Sequence, residues 1–243
     1  MLDRLNRRPR NSILRNLSAA DFSCIRPFLN SVVLKERTVL QEARKRVEHL
    51  YFIETGIVSL RTLGAGSILE TATVGYQGVV GVSVALGTET SMHQSIVLVS
   101  GTALRIHIDD LLRSMRRQPQ IREHLLRYTH ALLIHSSQTA LCCAKHDIEE
   151  RLACWLCLAC DALDGNVLPI THDHLSVILG LRRAGVTESL TRFEQAGLIR
   201  KMRGLLQIRD RQLLEQKACS CYGIVARGYY SAKLELCGDN PST

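Results

Sequence analysis

The 243-residue sequence predicts an α+β protein built from three successive parts. Residues 32–108 consist of short β-branched segments separated by glycines, a pattern typical of an antiparallel barrel or sandwich. The apolar pattern then becomes helical up to about Leu163. From Gly165 onward, two short helical segments precede a basic hairpin, which is the order of elements in a winged helix-turn-helix.

The strand-rich part is predicted from alternation and from the spacing of glycines. Leu104, Ile106 and Ile108 fall on every second position, the period of a half-buried strand. Glycines stand at positions 56, 64, 66, 75, 78, 81, 87 and 101, where they are candidates for turns or bulges. Many short strands punctuated by glycines are therefore expected in this half of the chain.

The central part is predicted to be helical. Asp109 and Asp110 open a short helix, and Pro119 opens a long one, because proline is favoured at the first helical position. Two neighbouring apolar stripes repeat every seven residues along the long helix: Leu125, Leu132 and Thr139, and Leu126, Leu133 and Ala140. Such a wide apolar face can pack on the chain's own barrel and also against a second copy. A dimerisation helix is predicted, and packing within one chain is the alternative.

The composition favours a polyanionic partner. Lys and Arg number 31 against 23 Asp and Glu, and the net charge of +8 favours nucleic acid or an anionic membrane surface. The longest apolar run, Leu152–Cys160, has nine residues, whereas a membrane helix needs about 20. Nine cysteines, an odd number, without a secretion signal predict free thiols and a cytoplasmic location.

The last part is predicted to be a winged helix-turn-helix. Thr171 caps a first short helix, and Gly180 is the turn residue that follows it. A second helix spans residues 182–196, and Gly197 ends it. The hairpin LIRKMRG-LLQIR turns at Gly204 and forms the wing.

The second helix is the predicted DNA-recognition helix. Val186, Leu190 and Phe193 form its inward face, which leaves its basic N-terminal turn free for the major groove. Arg183 is the candidate for pairing with guanine, and Glu188 the candidate for accepting from cytosine. The first-helix cap and the wing are expected to contact phosphates. The predicted DNA-binding residues are Thr171, Arg182, Arg183, Thr187, Glu188, Arg192, Arg200, Lys201 and Arg203. The alternative is a solvated surface that contacts protein.

The stretch THDHLSVILGLRRAGVTESLTRFEQAGLIRKMRGLLQIRD resembles the reading head of the Crp/Fnr family of bacterial transcription regulators. The matching positions are Thr171, Leu175, Leu179, Gly180, Arg183, Val186, Leu190, Gly197, Leu198 and Ile199. With the strand-rich half and the long helix, the resemblance extends over roughly residues 17–219. It implies a homodimer that binds a palindromic promoter site and recruits or blocks RNA polymerase, with recognition helices about 34 Å apart.

The resemblance also implies the division of the chain. Residues 1–112 correspond to a β-roll sensor domain, cupin-like and similar to cyclic-nucleotide-binding domains. Residues 113–145 correspond to the dimerisation helix, and residues 146–220 to the winged helix-turn-helix. Residues 221–243 form a C-terminal extension without an assigned role.

The chain departs from the family's cyclic-nucleotide-binding members. These have a Gly-Glu pair for the ribose and an arginine for the phosphate, whereas Val82 stands near the position of the glutamate here. No Lys or Arg occurs between Arg61 and Arg105, and a buried phosphate needs a cation or several backbone donors. Cyclic AMP or GMP is therefore not expected as a ligand. In the recognition helix, Ala184 replaces a glutamate of well-known members, so a different DNA sequence is expected.

The cysteines allow two interpretations. The run Cys154-x2-Cys157-x2-Cys160 has the spacing of iron–sulfur ligands, but it lies in an apolar helical segment. Buried packing is the favoured interpretation, and a redox or metal role is the alternative. The pairs at positions 142–143 and at 219 and 221 could join a site only if the fold brings them close. No cofactor is predicted.

The sequence contains no Walker loop, no GxSxG motif and no HExxH motif, so no enzyme activity is expected. The predicted function is sequence-specific DNA binding that controls transcription in response to an unidentified signal. The alternative is a redox or small-molecule sensor that acts through protein contacts.

Overall fold

The computed structural model describes residues 8–64 and 66–234. Helices α1 (Ser12–Asn16) and α2 (Ala19–Ile25) precede a six-stranded antiparallel sheet. Its strands are β1 (Asn30–Leu34), β2 (Val39–Gln41), β3 (His49–Gly64), β4 (Ser67–Val74), β5 (Val79–Val80) and β6 (Gln94–His107). Strand β6 pairs with β1, β2 and β3, and β3 also pairs with β4 and β5. The predicted α+β class with an N-terminal β-roll is confirmed.

The strands are fewer and longer than the glycine spacing predicts. Gly56 lies inside β3 and Gly101 inside β6, so neither of them ends a strand. The register between the two strands shifts around Gly56, which has a φ of +86°. A Cβ at this glycine would lie 2.5 Å from the carbonyl oxygen of Val99. Glycine therefore permits a bulge here that bends a continuous strand.

The helices that follow the sheet begin within one residue of the predicted positions. Strand β6 ends at His107, and Ile108 is the first residue of α3 (Ile108–Arg117). The long helix α4 (Pro119–Lys145) starts at proline, whose missing N–H costs nothing in the first turn. Helix α5 (Ile148–Leu163) follows, with a capping box between Asp147 and Glu150. In the described ranges, none of the helices is long and apolar enough to cross a membrane.

The structure has two main apolar cores. Residues such as Phe52 and Ile106 fill the inside of the sheet, where they pack with Leu111 of α3 and Leu125 of α4. The second core joins α5 and the C-terminal helices to residues of β3 and β6, including Leu98. Helix α5 and the C-terminal helices are therefore packed directly against the sheet.

A buried carboxyl group lies where the two cores meet. Glu70 on β4 is 4% exposed, and Trp155 Nε1 of α5 donates a hydrogen bond of 2.6 Å to its Oε1 atom. Thr73 Oγ1 donates to the same oxygen at 2.8 Å, and Ser59 Oγ donates to Oε2. Burial raises the pKa of Glu70 above its ordinary value.

The stability of the chain should depend on the protonation of Glu70. Because its pKa is raised in the folded state, its contribution is complete below the ordinary carboxyl pKa and is lost as the pH rises through the raised value. Between the ordinary and the raised pKa, the free energy of unfolding of the wild-type chain should fall by at most about 1.4 kcal/mol per pH unit. In Glu70→Gln this fall should be absent, because glutamine does not titrate. Denaturant unfolding, followed by the fluorescence of Trp155, the one tryptophan in the sequence, measures this. Parallel pH profiles of the two proteins would contradict it.

Candidate nucleic-acid interface

The predicted helix-turn-helix is present. Helix α6 (His172–Leu179) is capped by Thr171, whose Oγ1 accepts a hydrogen bond of 3.2 Å from the backbone N–H of His174. Gly180 is the C-cap of α6 in the left-handed region. Helix α7 (Arg183–Gln195) follows after two residues, with Arg182 as its N-cap. The start of the second helix is thus within one residue of the prediction.

The wing follows directly from the end of α7. Gly197 lies one position after the C-cap with a φ of +75°, a conformation that glycine adopts without strain. Strands β8 (Ile199–Met202) and β9 (Leu205–Ile208) form the predicted hairpin. A further strand, β7 (Val167–Leu168), pairs with β9 and was not predicted, because two residues give no detectable alternation. Helices α8 (Arg211–Lys217) and α9 (Cys221–Leu234) complete the described chain.

The inward face of α7 is the predicted one. Val186 and Leu190 are 0% exposed and Phe193 is 2% exposed, and all three belong to the core shared with α5. Since these residues fix the rotation of α7 about its axis, the basic first turn lies at the surface. Arg182 and Arg183 are both exposed.

Two side-chain contacts join the N-terminal part of α7 to α6. Arg183 Nε lies 2.6 Å from Asp173 Oδ1, and both side chains are mostly exposed. His172 Nδ1 lies 3.1 Å from Thr187 Oγ1. Burial lowers the pKa of His172, and the positive charges of Lys201 and Arg183 lower it further. An exposed ion pair is weak, so Arg183 can exchange Asp173 for a DNA base at little cost.

Arg192 contacts two carboxylates of its own chain. Its Nη1 lies 2.7 Å from Glu188 Oε1, four positions earlier on α7, and its Nε contacts Glu149 of α5. The hydrogen bond to Glu149 is the main reason why the pKa of Arg192 is raised. The structure therefore gives Arg192 and Glu188 partners within the protein, and Arg192 also ties α7 to α5.

The wing carries one paired lysine and three arginines that form no ion pair with any described residue. Lys201 Nζ lies 3.0 Å from Glu194 Oε2 and donates a hydrogen bond of 3.1 Å to Thr191 Oγ1. Arg200 and Arg203 are exposed, and neither forms an ion pair with any described residue. These two arginines are free to contact phosphates.

The partners of the basic residues were not predicted. Among the predicted DNA-binding residues, only Glu188 and Arg192 form an ion pair with the four-residue spacing that sequence alone can detect on a helix. Asp173 and Glu149 lie 10 and 43 positions away from the arginines that they contact. Such pairs become visible only once the helices are packed.

The structure separates the three cysteines of α5. Cys157 and Cys160 are buried in the core of the reading head. Cys154 lies instead in a separate cluster with Cys142, Cys219 and Cys221, so the 154–157–160 run does not form one site. Hydrogen bonds to Cys142 and Cys219 raise the pKa of Cys154 well above its ordinary value.

A small cavity lies where the sheet meets α4. It has a volume of about 90 Å³, and its lining includes Val82, His93 and Leu132. Burial lowers the pKa of His93. Among the described residues, no lysine or arginine lines this cavity.

Comparisons with known proteins agree with this architecture. Residues 150–217 match the family of Crp-like helix-turn-helix domains. No curated protein matches the sequence of the chain.

Several solved structures share the fold. FixK2 from Bradyrhizobium japonicum has a TM-score of 0.69 at 16% identity, over 79% of this chain and 98% of its own. The c-di-GMP-responsive global regulator CLP of Xanthomonas campestris has a TM-score of 0.65 at 14% identity, over 79% of this chain and 100% of its own. A regulator of the CRP/FNR family from Thermus thermophilus has a TM-score of 0.57 at 19% identity, over 78% of this chain and 98% of its own.

The resemblance that the sequence shows is thus supported by a matched domain and by a shared fold. Residues 150–217 match the Crp-like helix-turn-helix domain. The solved structures share the overall fold of the chain. The chain carries a Crp-like helix-turn-helix domain in residues 150–217 and shares its fold with a solved regulator of the CRP/FNR family.

Proposed function

We propose that the chain binds a palindromic promoter site as a homodimer and controls transcription there in response to a signal. The exposed basic first turn of α7 is the observation that carries this proposal. Its position is fixed by the buried face of α7, and the wing that follows α7 offers Arg200 and Arg203 to the phosphates. A dimer bound in this way would recruit or block RNA polymerase.

The proposed DNA-binding residues divide into three groups. Arg182, Arg183 and Thr187 on the first turns of α7 are proposed to contact base edges, and Arg183 is proposed to pair with guanine. Thr171, Arg200, Lys201 and Arg203 are proposed to contact phosphates. Glu188 and Arg192 form an ion pair with each other, so we propose that they contact DNA at the edge of the interface, Arg192 through its remaining N–H donors.

Helix α4 is proposed as the dimer interface. Leu125 and Leu132 pack against the sheet, whereas Leu133 is 59% exposed and Leu141 is 45% exposed. Leu133 and the 71% exposed Met92 both line the mouth of the small cavity, so the exposed leucines continue into an apolar patch of the sheet domain. A second copy, packed about a two-fold axis, would cover this surface.

The sensor domain is not proposed to bind a cyclic nucleotide. Ligand pockets are usually about 300–1,000 Å³ in volume, whereas the cavity between sheet and α4 measures about 90 Å³. A buried phosphate would also lack a cationic partner there. We propose that the signal is smaller, or that it acts elsewhere on the chain.

Selection of genomic DNA fragments by the purified, reduced protein tests the proposed function. Wild type should enrich an inverted repeat whose half-sites lie about 34 Å apart, one turn of the double helix. The Arg183→Ala variant is the matched control and should lose this enrichment while it retains weak binding to all fragments. Fragments without a repeat would favour the alternative of a sensor that acts through protein contacts, whereas equal recovery of the repeat by both proteins would remove Arg183 from base recognition.

A further inference from the structure

Three thiols and one imidazole meet at the C-terminal end of α4, and the thiol of Cys154 on α5 adjoins two of these thiols. The three thiols and the imidazole belong to Cys142, His146, Cys219 and Cys221, and we refer to these four residues as the thiol–imidazole cluster. All four potential ligand atoms lie within 4.8 Å of one another. Cys142 Sγ is 3.4 Å from Cys219 Sγ, and Cys221 Sγ is 3.7 Å from His146 Nδ1.

The fold assembles the cluster from two distant local pairs. Cys142 lies in the last turn of α4, and His146 is the C-cap of this helix, with its N–H donating to the Cys142 carbonyl at 3.2 Å. Cys219 lies between α8 and α9, and Cys221 is the first residue of α9. The Cys142–Cys219 pair is separated by 77 positions, so only tertiary packing brings the two halves together.

The cluster is largely closed to solvent. Cys142, Cys219 and Cys221 are 7%, 6% and 1% exposed, and His146 is partly buried. All three cysteines are free thiols. Buried cysteines often pack as small apolar residues, but apolar packing gives no reason for a ring nitrogen to share the cluster. A closed set of four sulfur and nitrogen atoms is instead the usual composition of a structural metal site.

We propose that the thiol–imidazole cluster binds one zinc ion through three thiolates and one imidazole. Bonds of about 2.3 Å to sulfur and about 2.0 Å to nitrogen place tetrahedral ligands about 3.5–3.8 Å apart. The two distances found here, 3.4 and 3.7 Å, need only small adjustments. Thiolates and imidazole favour zinc over magnesium or calcium, which prefer oxygen. In an iron–sulfur cluster the cysteines bind different irons and stand farther apart than ligands of one ion, whereas here all four ligand atoms lie within 4.8 Å of one another.

The zinc ion would connect α9 to α4. Tyr229 Oη of α9 also contacts His135 Nδ1 of α4 at 3.0 Å. Cys219 and Cys221 lie beyond residues 150–217, so the site is not part of the matched domain. Binding releases the protons of the three thiols to solvent, and it should stabilise the folded chain because the unfolded chain has no assembled site.

The full-length chain, purified under reducing conditions, tests the proposal. Inductively coupled plasma mass spectrometry should find about one zinc per chain. After removal of the metal, titration with Co²⁺ should produce the visible absorption bands of tetrahedral, thiolate-bound cobalt, with saturation at one equivalent. Cys219→Ser and His146→Gln should lose or strongly weaken this binding. Cys143→Ser is the matched control, since Cys143 adjoins Cys142 on α4 but lies outside the cluster, and it should bind normally.

Several results would overturn the proposal. The wild-type chain could hold no zinc and give no cobalt spectrum, or it could hold iron in place of zinc. The Cys219→Ser variant could bind as much metal as wild type. A disulfide between Cys142 and Cys219 could persist under reducing conditions. The cobalt titration of the wild-type chain decides the matter even if a variant fails to fold. The proposal does not rest on DNA binding, so it can fail or hold independently of the proposed function.

Discussion

Replacing Arg183 by alanine should weaken binding to the specific DNA site by about 1–3 kcal/mol, or about 5- to 150-fold, and should relax base preference at one position. Arg183 is the first residue of α7, where a guanidinium can reach the edge of a guanine in the major groove. Its ion pair with Asp173 is exposed and therefore costs little to break. Fluorescence anisotropy with the selected repeat, and with single-base variants of it, measures both effects.

Two further variants separate base recognition from phosphate binding. Arg203→Ala on the wing should weaken binding to all sequences alike and reduce the slope of log affinity against log salt by about 1. Asp173→Asn should bind the specific site at least as tightly as wild type, because it frees Arg183 and removes a negative charge near the DNA. If Arg183→Ala loses the same amount of affinity for specific and for random DNA, Arg183 contacts a phosphate and not a base.

The helix-turn-helix could be predicted from sequence because the residues that indicate it lie close together in the chain. The Thr171 cap, the glycine after α6 and the spacing of Val186, Leu190 and Phe193 each act within a few residues. In the strand-rich half, the ends of strands could not be predicted in this way, because a glycine can either end a strand or bend it. Gly56 bends β3 because β6 approaches it closely, and this contact involves residues that are distant in sequence.

The chemistry of the site was predictable only in part. Sequence indicates which basic residues stand on α7 and the wing, but it cannot show that Arg192 contacts Glu149 of another helix. The cysteines show the same limit. The regular spacing of the α5 cysteines is a helical repeat, whereas the thiol–imidazole cluster draws its members from α4 and from the start of α9. Polar groups that meet through tertiary packing leave no periodic signal in the sequence.

Replacing Leu133 by glutamate should convert a dimer into a monomer and reduce affinity for the inverted repeat by about 10²- to 10⁴-fold. The two-fold axis proposed along α4 would bury this side chain twice, so each dimer would have to bury two unpaired carboxylates. A monomer binds each half-site independently, so it lacks the extra affinity that a dimer gains from two linked recognition helices. Sedimentation velocity measures the mass, and anisotropy with whole and half sites measures the affinity.

The control for this variant is another exposed apolar residue elsewhere on the sheet domain. Val33 on β1 is 72% exposed and lies outside the patch formed by Met92 and the α4 leucines. Val33→Glu should leave both the mass and the DNA affinity unchanged. A Leu133→Glu protein that remains dimeric with wild-type affinity would show that the copies meet through another surface. In that event the exposed leucines of α4 would have to be covered by something other than a second α4.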